Sequence, residues 1–287
     1  MNIQWYPGHM AKARRLVEQN LKLVDVVIEL VDARAPLSSR NPMVNKIIGR
    51  KPRLVVLNKS DLADKRLTDL WARGICPEGV SLVVNSRTGH GINKVPDAVI
   101  KLAPAKMKAT ATGRARPVRC MIVGIPNVGK SLFINSLVRQ KAARTGNKPG
   151  VTKGQQWIRV SKKVELLDTP GILWPKFDDP EVGFRLAAIG AIKEEVFSSE
   201  DVAAGLIKWF ETNHPGVLRD RYDLSDGNGV IDGANEVIEQ VAHRRGFIIS
   251  GGKVDMYKAS VHILKEFREG KLGCFTLEMP PQLTKKS

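Results

Sequence analysis

Gly124-Ile125-Pro126-Asn127-Val128-Gly129-Lys130-Ser131 has the G-x-x-x-x-G-K-[ST] form of a phosphate-binding loop. The apolar run Val118 to Val123 before it reads as a buried strand, and Leu132 to Val138 after it falls at helical spacing. Strand, loop and helix are the context the motif needs. Its glycines let backbone N–H groups close around a phosphate, and the helix N-terminus adds positive potential. Lys130 is expected to reach the β- and γ-phosphates and the Ser131 hydroxyl to bind Mg2+. Asn127, Val128, Gly129, Lys130, Ser131 and Leu132 thus form the phosphate side of the expected site.

The base side lies upstream. Val24 to Val31 reads as a strand ending at Asp32-Ala33-Arg34-Ala35-Pro36, and Arg53 to Leu57 as a second strand. The second ends in Asn58-Lys59-Ser60-Asp61, an N-K-x-D sequence at a strand's carboxyl end, where ligands of open parallel sheets bind. Asp61 can accept two hydrogen bonds, from the guanine N1–H and the 2-amino group; adenine offers neither there, which argues against an ATPase. Asn58 is expected to reach the opposite edge of the purine, with the Lys59 stem covering its face. Ser81 to Val84 is a third strand, ending at Asn85-Ser86-Arg87-Thr88-Gly89. Ser86 or its neighbour Arg87 is expected to offer a backbone N–H to the guanine oxygen.

Downstream, Lys141 to Gly154 is basic and Gly-rich and reads as a loop that offers the Thr152 hydroxyl to Mg2+ and orders around the γ-phosphate. Gln155 to Val160 and Lys163 to Leu167 alternate as an antiparallel pair. The pair leads to Asp168-Thr169-Pro170-Gly171, the D-x-x-G form. Asp168 is expected to hold Mg2+ through water, and the Gly171 N–H to bond the γ-phosphate. From Glu181 the character changes: 182–192, 202–209, 230–242 and 254–267 show helical spacing with little strand signal. Residues 9–23 read as an amphipathic helix behind the turn Trp5-Tyr6-Pro7-Gly8-His9-Met10, and 103–116 as an exposed basic linker. The expected organisation is an α/β nucleotide-binding domain over 1–178 and a smaller all-helical domain over 179–287.

Charge narrows the partners. The net charge of +17 is unevenly placed: residues 1–180 carry 32 Lys and Arg against 13 Asp and Glu, whereas 181–287 carry 14 against 16. No acidic residue lies between Asp97 and Glu165. Such a bias points to a polyanion, nucleic acid before others. No apolar run reaches the ~20 residues of a membrane span. The first residues lack the basic and apolar regions of a secretory signal. The three cysteines, Cys76, Cys120 and Cys274, show no metal spacing and suit a reducing cytoplasm.

Together the motifs resemble the Ras-like P-loop GTPases, but in an unusual order. There the phosphate loop usually comes first and N-K-x-D last; here N-K-S-D at 58–61 precedes the loop at 124–131, and D-T-P-G at 168–171 comes last. That order is similar to the circularly permuted GTPases. W-Y-P-G-H-M at 5–10, D-A-R-A-P at 32–36 and D-T-P-G-I-L-W-P at 168–175 narrow the resemblance to the ribosome biogenesis GTPase A (YlqF) family.

The resemblance implies a bacterial cytoplasmic GTPase, monomeric off the ribosome. It would act late in assembly of the large ribosomal subunit, with its rRNA, contacted in part by the helical domain, as partner. It also implies roles for two residues. Ile172 stands where many Ras-like GTPases have a water-orienting Gln, and His9 matches the histidine proposed in the family for that task. Asn127 matches an asparagine associated with K+-stimulated members. A rival reading is an RNA-binding module that uses GTP as a structural ligand with negligible turnover.

Overall fold

The computed structural model describes residues 15–77, 79–103, 116–145, 157–167, 179–224 and 233–281. His9, Thr152, Asp168 and Gly171 lie outside the described residues. The chain divides into two compact units. Among the described residues, one unit takes those up to Leu167 together with Phe275–Pro281, and the other takes 179–274.

The first unit is a six-stranded sheet with helices: α1 over 15–21, β1 Val26–Asp32, α2 Pro42–Ile48, β2 Arg53–Asn58, α3 Lys65–Gly74, β3 Val80–Val83, α4 Val95–Leu102, β4 Val118–Val123, α5 Lys130–Thr145, β5 Trp157–Arg159 and β6 Val164–Leu167. The strand order is β3-β2-β1-β4-β6-β5. All pairs are parallel except β5 with β6, which is antiparallel as its alternation predicts. β1, β2 and β4 are near-continuous apolar runs because a central parallel strand is covered on both faces. Val17 of α1 packs with Val24, Val27, Met121 and Leu167, and Trp71 and Ile75, from α3 and its end, pack with Val31, Val55 and Leu57; Val27 and Val31 stand four apart on β1, so both clusters cover the same face of the sheet.

From β1 the chain winds one way through β2 and β3; from β4 it winds the other way to β6. The reversal lies between β1 and β4, and parallel pairing puts the carboxyl ends of β1, β2, β3, β4 and β6 on one edge. A crevice at that reversal is where such sheets bind ligands.

Helix α5 runs to Thr145, so the basic loop expected from Lys141 starts later. Ala142 and Ala143 are strong helix formers, and they extend the helix past its apolar stripe.

The second unit is helical: α6 Pro180–Ala188, α7 Ser199–Asn213, α8 Val217–Tyr222, α9 Ala234–Arg245 and α10 Met256–Arg268. Its core holds Val202, Leu206 and Phe210 of α7, Val237 and Val241 of α9, and Ile263 and Phe267 of α10, all nearly inaccessible. The Phe210 and Phe267 rings meet edge to face at 6.2 Å. Helix α6 stops four residues short of the Ile192 expected from spacing. Gly190 takes φ +77°, and the Ala191 N–H donates to the Leu186 carbonyl at 2.8 Å, a left-handed glycine stop.

The tail also differs from expectation. The reading of 179–287 as one helical domain placed Phe275–Pro281 there, but these residues fold with the nucleotide-binding unit. The Leu277 N–H donates to the Arg34 carbonyl at 2.7 Å, and the Phe275 N–H to that of Leu62 at 3.1 Å.

Candidate nucleotide-binding site

The phosphate loop leaves β4 in the conformation its glycines permit. A Cβ on Gly124 would come within 2.6 Å of the Leu30 carbonyl of β1. Gly129 has φ +98°, and a Cβ there would lie 2.6 Å from the Asn58 amide nitrogen. Both positions therefore need glycine, one for close packing and one also for backbone conformation. Asn127, at the exposed crest of the loop, takes φ +57°, a left-handed region that asparagine tolerates better than most residues. Lys130 opens α5 and folds back over the loop, its Nζ donating to the carbonyls of Ile125 at 2.8 Å and Gly124 at 3.3 Å. This holds the ammonium across the cradle that a phosphate would enter. Ser131 and Leu132 are exposed on the first turn of α5. The Ser131 hydroxyl is a hard oxygen donor of the kind Mg2+ takes, beside the phosphate cradle. Among the described residues, no group of three or more His, Cys, Asp and Glu could hold a metal ion.

Asn58 ends β2 and is 1% exposed. The sequence aims its carboxamide at the far edge of the purine; the structure spends it inside the protein. Its Nδ2 donates to the Val128 carbonyl at 2.9 Å, while its Oδ1 accepts from the Ser86 N–H at 3.1 Å and the Ser86 hydroxyl at 2.7 Å. One side chain thus fastens the phosphate loop to the loop after β3. The reason is topological: β4 and β2 flank β1, so the loops leaving them converge over its end.

The expected N–H donors for the guanine oxygen are also engaged. Ser86 gives its N–H to Asn58, and Arg87 gives its own to the Asn85 carboxamide at 2.8 Å. A base oxygen would share the Arg87 donor with Asn85.

Lys59 takes φ +60°, the left-handed conformation that lets the chain turn from β2. Its Nζ lies 2.9 Å from the Asp32 carboxylate. Asp32 is 1% exposed at the end of β1 and also receives Arg34, whose Nε and Nη2 donate at 2.9 and 2.8 Å. Burial alone would push the Asp32 carboxyl up, but the charges of Arg34 and Lys59 outweigh it and hold the group well below the usual carboxylate range. The carboxylate therefore stays ionised and fixes the Lys59 stem. Asp61 stands on the same turn with its side chain partly open, 3.9 Å from the Arg87 guanidinium. Ser60 lies between them, its N–H donating to the Val84 carbonyl at 3.3 Å.

The structure thus brings Asn58, Lys59, Ser60, Asp61, Ser86 and Arg87 to one edge with Asn127 through Leu132. Sequence reasoning missed Asp32 and Arg34. The available signal was an Asp and an Arg at the end of a strand that is apolar but for Glu29, where neither charge stands without a partner.

Comparison with known proteins agrees with this geometry. A family model described as 50S ribosome-binding GTPase matches residues 119–238. It begins at β4 and leaves N-K-S-D outside, consistent with a permuted order. Over 285 residues the chain is 50% identical to ribosome biogenesis GTPase A of Bacillus cereus, covering 98% of this chain and 95% of that one. Mitochondrial ribosome-associated GTPase 1 of Mus musculus is 35% identical, covering 96% of this chain and 90% of that one. The GDP-bound structure of YlqF from Thermotoga maritima superposes with a TM-score of 0.67 at 26% identity, covering 93% of this chain and 99% of that one. Identity at this level over almost the whole length, on top of a phosphate loop tied to an upstream N-K-S-D, makes the chain a member of the ribosome biogenesis GTPase A family, a circularly permuted P-loop GTPase.

Proposed function

We propose that this GTPase is an assembly factor of the large ribosomal subunit, acting late, in the bacterial cytoplasm, as a monomer that binds rRNA when charged with GTP. The observation that carries the ribosomal half of the reading is the charge distribution. The 32 basic against 13 acidic residues of 1–180 fall on the nucleotide-binding half of the chain. A surface of that kind gains affinity for RNA by releasing counterions. The match to a family described as 50S ribosome-binding supports the large subunit as partner.

In this reading the loop N–H groups, Lys130 and the α5 N-terminus hold the phosphates and meet the charge that develops on them during transfer. Mg2+ held by Ser131, with Thr152 and Asp168, would supply further positive charge at the β- and γ-oxygens. Asp61 reads guanine, Lys59 covers it, and Gly171 senses the γ-phosphate. Ile172 cannot hydrogen-bond water, so His9 is assigned to orient the attacking water in its neutral form. K+ near Asn127 would do part of what an arginine finger does elsewhere.

The test is co-sedimentation with isolated ribosomal subunits, under GDP and under a non-hydrolysable GTP analogue, over a salt series. Binding to the large subunit should need the GTP analogue and fall steeply with salt, and the subunit should accelerate GTP turnover. Equal binding to both subunits, or binding indifferent to nucleotide, would overturn the proposal.

A further inference from the structure

We propose that Phe275–Glu278 acts as a positioning strap for guanine, holding the loop after β2, which reads and covers the base, in register with the loop after β1. The proposal rests on the assignment of Asp61 to the guanine N1–H and 2-amino group.

β1 and β2 are parallel neighbours paired out to Asp32 with Asn58, so the loops after them leave the sheet side by side. The loop after β2 carries Asp61. The loop after β1 continues directly from Asp32, the last residue of that strand, which fixes the Lys59 stem. The strap bonds to both. On the Asp61 side, the Phe275 N–H donates to the Leu62 carbonyl at 3.1 Å and the Asp64 N–H to the Thr276 hydroxyl at 3.2 Å. On the Asp32 side, the Thr276 hydroxyl donates to the Ala33 carbonyl at 3.3 Å and the Leu277 N–H to that of Arg34 at 2.7 Å. Thr276 alone spans the two loops.

Glu278 closes the arrangement. It is 6% exposed, and its carboxylate accepts the Leu37 N–H at 2.6 Å, the Ser38 N–H at 2.9 Å and the Ser38 hydroxyl. Its own carbonyl accepts the Trp71 indole N–H at 3.1 Å, which fixes the strap to α3. A carboxylate this buried is tolerated because donors fill its lone pairs. Those donors come from the loop that follows Asp32. The chain enters the strap from the helical unit, with only 269–274 between Arg268 of α10 and Phe275.

Position sets affinity here because Asp61 must offer both carboxylate oxygens to one edge of one base. By linkage, if the strap favours guanine binding, guanine must in turn stabilise the strap.

The experiment measures affinities of the full chain and its Glu278→Ala variant for GDP, for IDP, which lacks the 2-amino group, and for pyrophosphate. Losing charge-assisted bonds to Leu37 and Ser38 should weaken GDP binding about 10-fold, mainly through faster dissociation. The preference for GDP over IDP should narrow by about threefold or more, since the 2-amino contact is what the strap aligns. Pyrophosphate affinity should hold. Glu278→Gln, which keeps an acceptor oxygen, should recover part of the preference. A GDP preference unchanged in Glu278→Ala overturns the strap and leaves the base site standing. A parent chain with no preference for GDP over IDP removes the Asp61 assignment, and the strap with it.

Should Glu278→Ala fail to fold, amide hydrogen exchange in the parent chain decides. The Leu37, Ser38 and Leu277 amides should exchange more slowly with GDP than with pyrophosphate. Equal exchange in the two would overturn the proposal.

Discussion

Asn58→Ala tests the central geometric claim, that one buried carboxamide joins the phosphate loop to the base-side loops. The substitution removes three hydrogen bonds: Nδ2 to the Val128 carbonyl, and Oδ1 from the Ser86 N–H and from its hydroxyl. A neutral bond contributes about 1 kcal/mol net, so about 3 kcal/mol is lost. Two backbone groups, the Val128 carbonyl and the Ser86 N–H, are also left without this partner. Asn58 is 1% exposed, but it ends a strand at the ligand edge, where water can enter the space a shorter side chain leaves. Rehydration keeps the extra penalty to about 1 kcal/mol.

The bonds form within the protein itself, so most of this total of about 4 kcal/mol falls on stability and shows as a lower urea midpoint. The remainder appears on binding, when nucleotide must order two loops no longer joined. An ordering cost of 1–2 kcal/mol corresponds to GDP binding about 5- to 30-fold weaker. Asn58→Asp keeps an acceptor for Ser86 but turns an oxygen toward the Val128 carbonyl, and should bind GDP at least as poorly. Urea titration of the nucleotide-free chain and stopped-flow dissociation of a fluorescent GDP give the two parts. A stability change under about 1 kcal/mol together with GDP affinity within twofold of the parent would refute the bridge.

Three further outcomes follow from the same structure. Asp61→Asn should cost GTP binding on the order of 3 kcal/mol and shift preference to xanthosine nucleotides; unchanged GTP affinity removes the N-K-S-D assignment. GTP turnover should be faster in K+ than in Na+ at equal ionic strength, and Asn127→Ala should erase the difference; equal parent rates in the two salts end the K+ assignment. In the helical unit, Glu266 accepts Arg221 at 2.6 and 2.9 Å, and that bond chiefly holds its carboxyl at about 2 instead of 4.5. The lowered value gives stability present above pH 4.5 and lost as pH falls toward 2. The full shift is worth about 3.4 kcal/mol, which partial exposure of Arg221 reduces to about 2. Thermal midpoints of the parent and of Glu266→Gln should therefore converge as pH falls from 4.5 toward 2; a constant gap would refute the shift.

What the sequence discloses here is what it encodes locally. The phosphate loop and N-K-S-D are contiguous, and each needs only its own strand to be placed. Four helices of the second unit follow from spacing; α8, at six residues, is too short to show a period, and the error at α6 came from treating Gly190 as one more residue of the pattern. The role of Asn58 is of another kind. Its partners Val128 and Ser86 stand 70 and 28 residues away, and only the strand order β3-β2-β1-β4 brings the loops after β3 and β4 to it. The tail is the extreme case. Phe275-Thr276-Leu277-Glu278 alternates apolar and polar like a short strand, but it forms none of the sheet's strands, and Glu278 bonds residues 240 and 241 positions earlier. Nothing local marks such a segment as part of a base site.

The permutation itself then acquires a physical sense. In a parallel sheet every loop of the site leaves from the same edge, so the order in which the chain visits the strands does not alter the site. What the order does alter is which loops are covalent neighbours of the appended domain. With the phosphate loop in mid-chain, the D-T-P-G segment at 168–171 becomes the last site motif and runs directly into the helical unit from 179 onward. On leaving that unit at Cys274, the chain enters Phe275–Glu278, bonded to the loop that follows Asp32 and the loop that carries Asp61. In chain order the helical unit is therefore bracketed by the segment assigned to the γ-phosphate and the segment bonded beside the base. An unpermuted chain, with N-K-x-D last, places strands of the sheet directly after D-x-x-G and forgoes the first of these links. In the function proposed above, these two covalent links, one to the segment assigned to the γ-phosphate and one to the segment bonded beside Asp61, would give a helical unit bound to a ribosomal particle a route by which to bias both hydrolysis and release of GDP.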